Sequence, residues 1–253
     1  MKKTALVCLL AAAALILSSC IGVHLTFDAD YSYDNADRYR EAASEETDFE
    51  GIRLLDVGWL SGEVTVSVSE GSDKVTVRET AGVDYPLCYY VEGETLHIQY
   101  CRSGLKTSEL NQSMKDGKAL SVTVPAGLSE LGVNTVSAGI TLKEGVTADL
   151  AGINTVSGRI SVASGVSDRL GINTVSGDAD VSAMTPENGG TLTFRSVSGD
   201  LSVGVSETVG YQLAFESVSG KIKNESGIES RADGKVRLDV ETVSGSVTVR
   251  AAR

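Results

Sequence analysis

Apolar and polar positions alternate in short runs along residues 126–253, and the alternation restarts roughly every twenty residues. Six restarts share one phrase: Asn134-Thr135-Val136-Ser137-Ala138-Gly139, Asn154-Thr155-Val156-Ser157-Gly158, Asn173-Thr174-Val175-Ser176-Gly177, Arg195-Ser196-Val197-Ser198-Gly199, Glu216-Ser217-Val218-Ser219-Gly220 and Glu241-Thr242-Val243-Ser244-Gly245. The phrase serines follow one another at intervals of 20, 19, 22, 21 and 25 residues. Three residues before each phrase valine stands Val133, Ile153, Ile172, Phe194, Phe215 or Val240, and two residues earlier Leu131, Ala151, Leu170, Leu192, Leu213 or Leu238. Four residues after it stands Ile140, Ile160, Ala179, Leu201, Ile222 or Val247, and two further on Leu142, Val162, Val181, Val203, Asn224 or Val249. Period-two alternation on both sides of a Ser-Gly step predicts strand, corner, strand, with one face of each strand buried. A period near twenty is that of a stacked repeat in which each coil contacts its neighbours. The expected fold is all-β: a single-stranded β-solenoid of about twenty-residue coils, right-handed as parallel β connections are. Asn224 breaks the inward pattern.

The corner glycines are expected to turn the chain through positive φ. The hydroxyls should bond the backbone or the neighbouring coil, and Asn134, Asn154 and Asn173 should stack as an amide ladder. A row of identical serines also invites a catalytic reading. Repetition in every coil favours structure, since a catalytic site is needed once and a corner each time.

The chain before the phrases is more irregular. Trp59-Leu60-Ser61-Gly62-Glu63-Val64-Thr65-Val66 reads as an early copy of the corner, Val75-Thr76-Val77 as a strand, and Tyr89 to Tyr100 as a hairpin around Glu92-Gly93-Glu94. Residues 102–118 read as a polar loop, and Leu120 to Pro125 leads into the first full coil. Residues 51–125 are thus the irregular N-terminal part, and 126–253 the regular part, of one 51–253 domain.

These residues resemble a known family. The Trp59-to-Val66 opening, Gly93-Glu94-Thr95-Leu96-His97-Ile98, Ser121-Val122-Thr123-Val124-Pro125 and the run of Val-Ser-Gly phrases are similar to bacterial β-strand-repeat domains provisionally called adhesins, a family of largely undefined function. The resemblance covers about 51–253. It implies a β-solenoid at the cell surface and supplies no catalytic residues.

The N-terminus reads as an address. Lys2 and Lys3 precede the apolar run Ala5–Leu17, which is too short to span a bilayer, and Leu17-Ser18-Ser19-Cys20 resembles a lipobox. Residues 1–19 would be a lipoprotein signal peptide and Cys20 the lipidation site, anchoring the protein to a membrane on its extracytoplasmic side. The whole chain carries a net charge of −12, and losing Lys2 and Lys3 makes it −14, which argues against nucleic acid as a partner. Residues 20–50 read as an acidic tether: between Asp28 and Glu50 nine acids face Arg38 and Arg40. In an exported chain Cys88 and Cys101, flanking the hairpin, are candidates for a cross-strand disulfide, with two half-buried free thiols as the alternative.

Little chemistry rises above this frame. His24 and His97 are the only histidines, no base matches the phrase serines, and neither a zinc spacing nor a phosphate-binding glycine loop occurs, so no cofactor is expected. Asp178 and Asp200 follow adjacent corners with Asp180 nearby, a weak cation or acid–base candidate set. Arg159 and Lys221 flank them in the same column and favour a surface salt ladder. The leading reading is therefore a non-enzymatic, lipid-anchored surface protein for adhesion, binding or envelope structure, with an envelope protein, a wall polymer or a host ligand as partner. Behind it stand an envelope-stress sensor acting through a membrane partner and, third, a carbohydrate-active enzyme using Asp178, Asp180 and Asp200.

Overall fold

The computed structural model describes residues 30–252 apart from 44, 70, 81–83, 164, 166 and 185–189. The expected signal peptide, Cys20 and His24 lie outside the described residues. The fold is all-β and is built from two open ten-stranded sheets. Each phrase repeat gives one strand to each sheet. Before the corner these are Leu128–Thr135, Ala148–Thr155, Arg169–Thr174, Gly190–Ser196, Tyr211–Ser217 and Val236–Thr242. After it come Gly139–Leu142, Ile160–Val162, Ala179–Val181, Leu201–Val205, Ile222–Asn224 and Val247–Ala251.

The strands pair in parallel, equivalent residue on equivalent residue: Val133 on Ile153, Ile153 on Ile172, Ile172 on Phe194, and beyond the corner Ile140 on Ile160 and Ile160 on Ala179. Both inward columns are buried between the sheets over the first four repeats and the sixth. This register follows from burial, since a one-residue slip would turn every aliphatic side chain outward.

The expected early copy of the corner is present. Leu54–Trp59 pairs with Leu128–Thr135, and Gly62–Val68 pairs with Gly139–Leu142. Beyond it lie Thr95–Gln99 in one sheet and Lys118–Val124 in the other, each parallel to the early-corner strand beside it. The polar loop expected over 102–118 instead carries a helix, Thr107–Asp116. Leu110 buries its side chain, and the Glu109 carboxylate accepts the Lys106 N–H at 2.8 Å. Antiparallel strands then close this end of both sheets. Cys88–Glu92 and Arg40–Glu41 finish one, and Lys74–Glu79 and Glu46–Glu50 finish the other.

The acidic tether is therefore corrected from Asp30 onward. Those residues belong to the fold because Tyr31, Tyr33 and Phe49 supply aromatic bulk that covers the end of the core. Tyr31 donates to Gln99 Oε1 at 2.8 Å and Tyr33 to the Cys101 carbonyl at 3.0 Å. Beneath them Lys118, 2% exposed, donates to Glu79 Oε2 and to the Tyr85 carbonyl, each at 2.8 Å. Its ammonium lies 4.7 Å from the Trp59 ring centre and 4.4 Å from that of Tyr100. Burial lowers the Lys118 pKa and the Glu79 carboxylate opposes that shift. A buried cation needs such a set of partners to be tolerated.

Repeat order departs from sequence order at the other end. The sixth repeat inserts between the fourth and the fifth: Phe194 pairs with Val240, and Val240 with Phe215. The fifth repeat ends the stack, so Val218 and Ile222 are 57% and 49% exposed. This also accounts for Asn224. No further repeat covers its inward position, and its amide instead donates to the Ile228 carbonyl at 2.8 Å.

Positive φ holds at the early corner, where Gly62 has φ +88°, but the phrase glycines are corrected in mechanism. Gly158, Gly177, Gly199, Gly220 and Gly245 are not among the positive-φ glycines. They are required by close approach: a Cβ would lie 1.8 Å from Ala138 O at Gly158, 2.2 Å from Gly158 O at Gly177 and 2.1 Å from Gly177 O at Gly199. Repeats thus touch backbone to backbone at these five corners, whereas the first phrase carries Ala138 at the equivalent position. Each of the five is closed by the phrase Thr or Ser, whose Oγ accepts the glycine N–H at 2.9 Å from Gly158, 2.7 Å from Gly177 and 2.6 Å from Gly199.

The disulfide expectation is also corrected: Cys88 and Cys101 are free, buried thiols. Cys88 lies opposite Gln99, and Cys101 lies two residues further on, past the end of that strand, so the two are not cross-strand partners. Burial raises Cys88 from 9.0 to about 11 and Cys101 from 9.0 to about 12.

Two predictions follow from these contacts. Gly177→Ala should lower the unfolding free energy by about 1–3 kcal/mol or more through overpacking. Gly152→Ala, whose Cβ meets nothing within 4 Å, should change it by less than about 1 kcal/mol; equal effects in urea unfolding would refute the corner argument. For the thiols, folding raises both pKa values, so their contribution is complete below pH 9.0 and declines as pH climbs towards about 11 to 12. Urea midpoints should accordingly fall less steeply above pH 9.0 in a Cys88→Ala/Cys101→Ala variant than in the parent chain.

Candidate functional site

The repeated polar side chains are consumed by the fold. The phrase serine hydroxyls donate to backbone carbonyls of an adjacent repeat: Ser137 to Leu60 at 3.2 Å, and then to phrase valines, Ser157 to Val136 at 3.4 Å, Ser176 to Val156 at 3.3 Å and Ser198 to Val175 at 3.4 Å. The expected amide ladder forms, with Asn154 Nδ2 donating to Asn134 Oδ1 at 2.7 Å and Asn173 Nδ2 to Asn154 Oδ1 at 2.8 Å. The column continues as the Arg195–Glu241 ion pair.

The acid column behaves in the same way. Asp178 Oδ1 accepts the Asp200 N–H at 3.0 Å, and Asp200 Oδ1 accepts the Ser246 N–H at 2.7 Å. Each carboxylate caps the start of the next strand in the stack. The expected salt ladder does not form. The sixth repeat places Ser246 beside Asp200, where Lys221 was expected, and no ion pair joins Arg159 or Lys221 to these acids among the described residues. Nor does any group of three His, Cys, Asp or Glu suited to a metal ion occur among them.

Asp180 parts from the other two acids. Thr141, Ser161 and Asp180 pair in register on the outer face of the second sheet, each on a strand bonded on both sides. Arg250 lies in register with Gly204. It reaches over that glycine, where no side chain stands, to ion-pair with the Asp180 carboxylate. Its Nε is buried without an acceptor among the described residues. Asp180 and Arg250 form one part of the lining of an open groove of about 600 Å³, with Thr141, Ser161, Lys143 and Glu144 along the rest. Sequence reading had Asp180 but missed Arg250, which lies seventy residues away; the glycine at 204, breaking the outward polar column, was the available signal.

His97 also has a partner that its strand alone does not reveal. Leu54–Trp59 runs parallel to Thr95–Gln99, so Asp56 lies beside His97, with Oδ2 2.8 Å from Nδ1. Tyr90 stacks on the imidazole at 4.4 Å, and the Arg38 guanidinium covers Tyr90 at 4.5 Å. A carboxylate-oriented histidine can act as a base, but no hydroxyl or thiol bonds to it among the described residues, so it lacks the nucleophile that a hydrolytic triad requires. No helix among the described residues is long and apolar enough to cross a membrane.

Among curated proteins none matches the chain. Solved structures similar to it include a protein from Clostridium sporogenes provisionally called a cell adhesion protein, with TM-score 0.48 and 11% identity over 82% of this chain and 98% of that one. A protein from Bacteroides fragilis provisionally called an adhesin follows at TM-score 0.38 and 11% identity, covering 81% and 95%. One from Parabacteroides distasonis provisionally called lipid-binding gives 0.35 and 14%, covering 82% and 94%. At these TM-scores the likenesses carry no functional weight. The family model of Toastrack DUF4097 matches residues 45–250, taking in the early corner, the hairpin and all six Val-Ser-Gly phrases. The resemblance drawn from those phrases holds, and the chain belongs to the Toastrack DUF4097 family.

Proposed function

We propose that this protein is a lipid-anchored, extracytoplasmic, right-handed β-solenoid of about twenty-residue coils that binds a surface or envelope polymer without catalysing a reaction. The observation that carries this reading is the fate of the repeated polar groups. The Ser and Asp rows bond backbone in adjacent repeats and the Asn row bonds along itself, so the chemistry that a catalytic row would use is already spent on stacking. What remains outside is an extended, ordered polar face, the kind of surface on which stacked repeats bind partners. The anchor rests on Lys2, Lys3, the apolar run Ala5–Leu17 and the Leu17-Ser18-Ser19-Cys20 step. Right-handedness rests on the parallel crossovers.

Four measurements test the reading. Cys20→Ser should release the protein from the membrane fraction, and an unchanged distribution would remove the anchor. The full chain in detergent should sediment with insoluble wall polymer saturably and leave that polymer uncleaved; release of soluble fragments would favour the enzyme. Asp178→Asn and Asp200→Asn should each cost about 0.5–2 kcal/mol of stability through weakened backbone caps. Millimolar Ca²⁺ should leave the parent Tm unchanged, whereas a clear rise would show that these acids hold a cation.

A further inference from the structure

The groove on the second sheet deepens that reading, on which the following rests. We infer that the groove bounded by Thr141, Ser161, Asp180 and Arg250 is a binding site for a neutral, linear glycan lying along the axis of the stack.

The direction comes from register. Thr141, Ser161 and Asp180 are equivalent residues on successive strands, so their polar groups recur at the strand spacing of about 4.8 Å. One sugar of an extended glycan advances by a similar length, so each strand can meet one sugar.

The class of ligand comes from what the groove offers. Hydroxyls that both donate and accept stand beside a carboxylate that only accepts and a guanidinium that only donates. Sugar hydroxyls, which also do both, satisfy such a mixed set. Asp180 and Arg250 are already paired, which fixes their orientation before a ligand arrives. The guanidinium keeps donors beyond those it gives to Asp180 and the Val181 carbonyl.

A peptide fits less well. The strands beneath the groove are bonded on both sides, so no free edge exists for strand addition. Charge argues for a neutral polymer. Lys143 is offset by Glu144 and Arg250 by Asp180, so the groove is formally neutral, and the chain's overall charge of −12 repels an acidic polymer at long range.

The test is calorimetric titration of the full chain in detergent with neutral hexasaccharides, β-1,4-linked and β-1,3-linked glucose, and with an uncharged Gly/Ser/Thr peptide of similar length. At least one hexasaccharide should bind saturably with Kd between about 10 μM and 1 mM. Asp180→Asn combined with Arg250→Gln should weaken it at least about ten-fold. Ala163→Trp, which fills the groove without touching the ion pair, should abolish it, while Leu150→Ser on the other sheet should leave it intact; unchanged thermal midpoints certify folding. The inference is overturned if no hexasaccharide binds, if only the peptide binds, or if groove variants bind as the parent does. Groove variants that bind normally while the parent still sediments with wall polymer would sink the groove alone. Loss of both kinds of binding would sink the broader reading too.

Discussion

The stack depends on backbone touching backbone at the corners. At Gly158, Gly177, Gly199, Gly220 and Gly245 the α-carbon lies against a carbonyl oxygen of the adjacent repeat, at a distance where no side chain fits. That approach lets the phrase serine of one repeat reach the valine carbonyl of another, and lets the phrase Thr or Ser close its own corner. With the corners in contact, the strands on either side are held in register, and the aliphatic columns meet like on like. Hydrophobic burial supplies most of the stability. The corner decides which side chains are buried together.

A stack of parallel strands must also end. At one end it does so through antiparallel strands, a tyrosine cluster and the buried Lys118–Glu79 pair held against Trp59 and Tyr100. This end is covered by large aromatic side chains drawn from residues far apart in the chain. The other end is managed by topology. The fifth repeat is displaced outward and the sixth fills the gap behind it, so the repeat with the weakest inward pattern becomes the terminal one. Asn224, a defect in an internal strand, costs nothing at a boundary where its amide can bond the Ile228 carbonyl.

The same economy separates structural polar groups from available ones. Asp178 and Asp200 look like a site in sequence and are backbone caps in space. Asp180, two residues from Asp178, faces outward into a groove with Arg250. Adjacent acids thus have opposite roles, set by whether a neighbouring strand presents an N–H or an open face.

The sequence by itself determined the parts of this protein that rest on local periodicity. The two-strand repeat, its inward columns, the Asn ladder, the early corner at Trp59–Gly62 and the Tyr89–Tyr100 hairpin all follow from alternation of apolar and polar residues, which a strand reads one residue at a time. Tertiary structure decided what depends on which strands become neighbours. It placed the sixth repeat inside the fifth, drew residues 30–50 into the end of the core, put Gln99 rather than Cys101 opposite Cys88, paired Asp56 with His97 and brought Arg250 across Gly204 to Asp180. Each of those contacts joins residues whose separation along the chain carries no periodic signal. They arise because burying the ends of two sheets and satisfying their polar groups is a property of the whole stack.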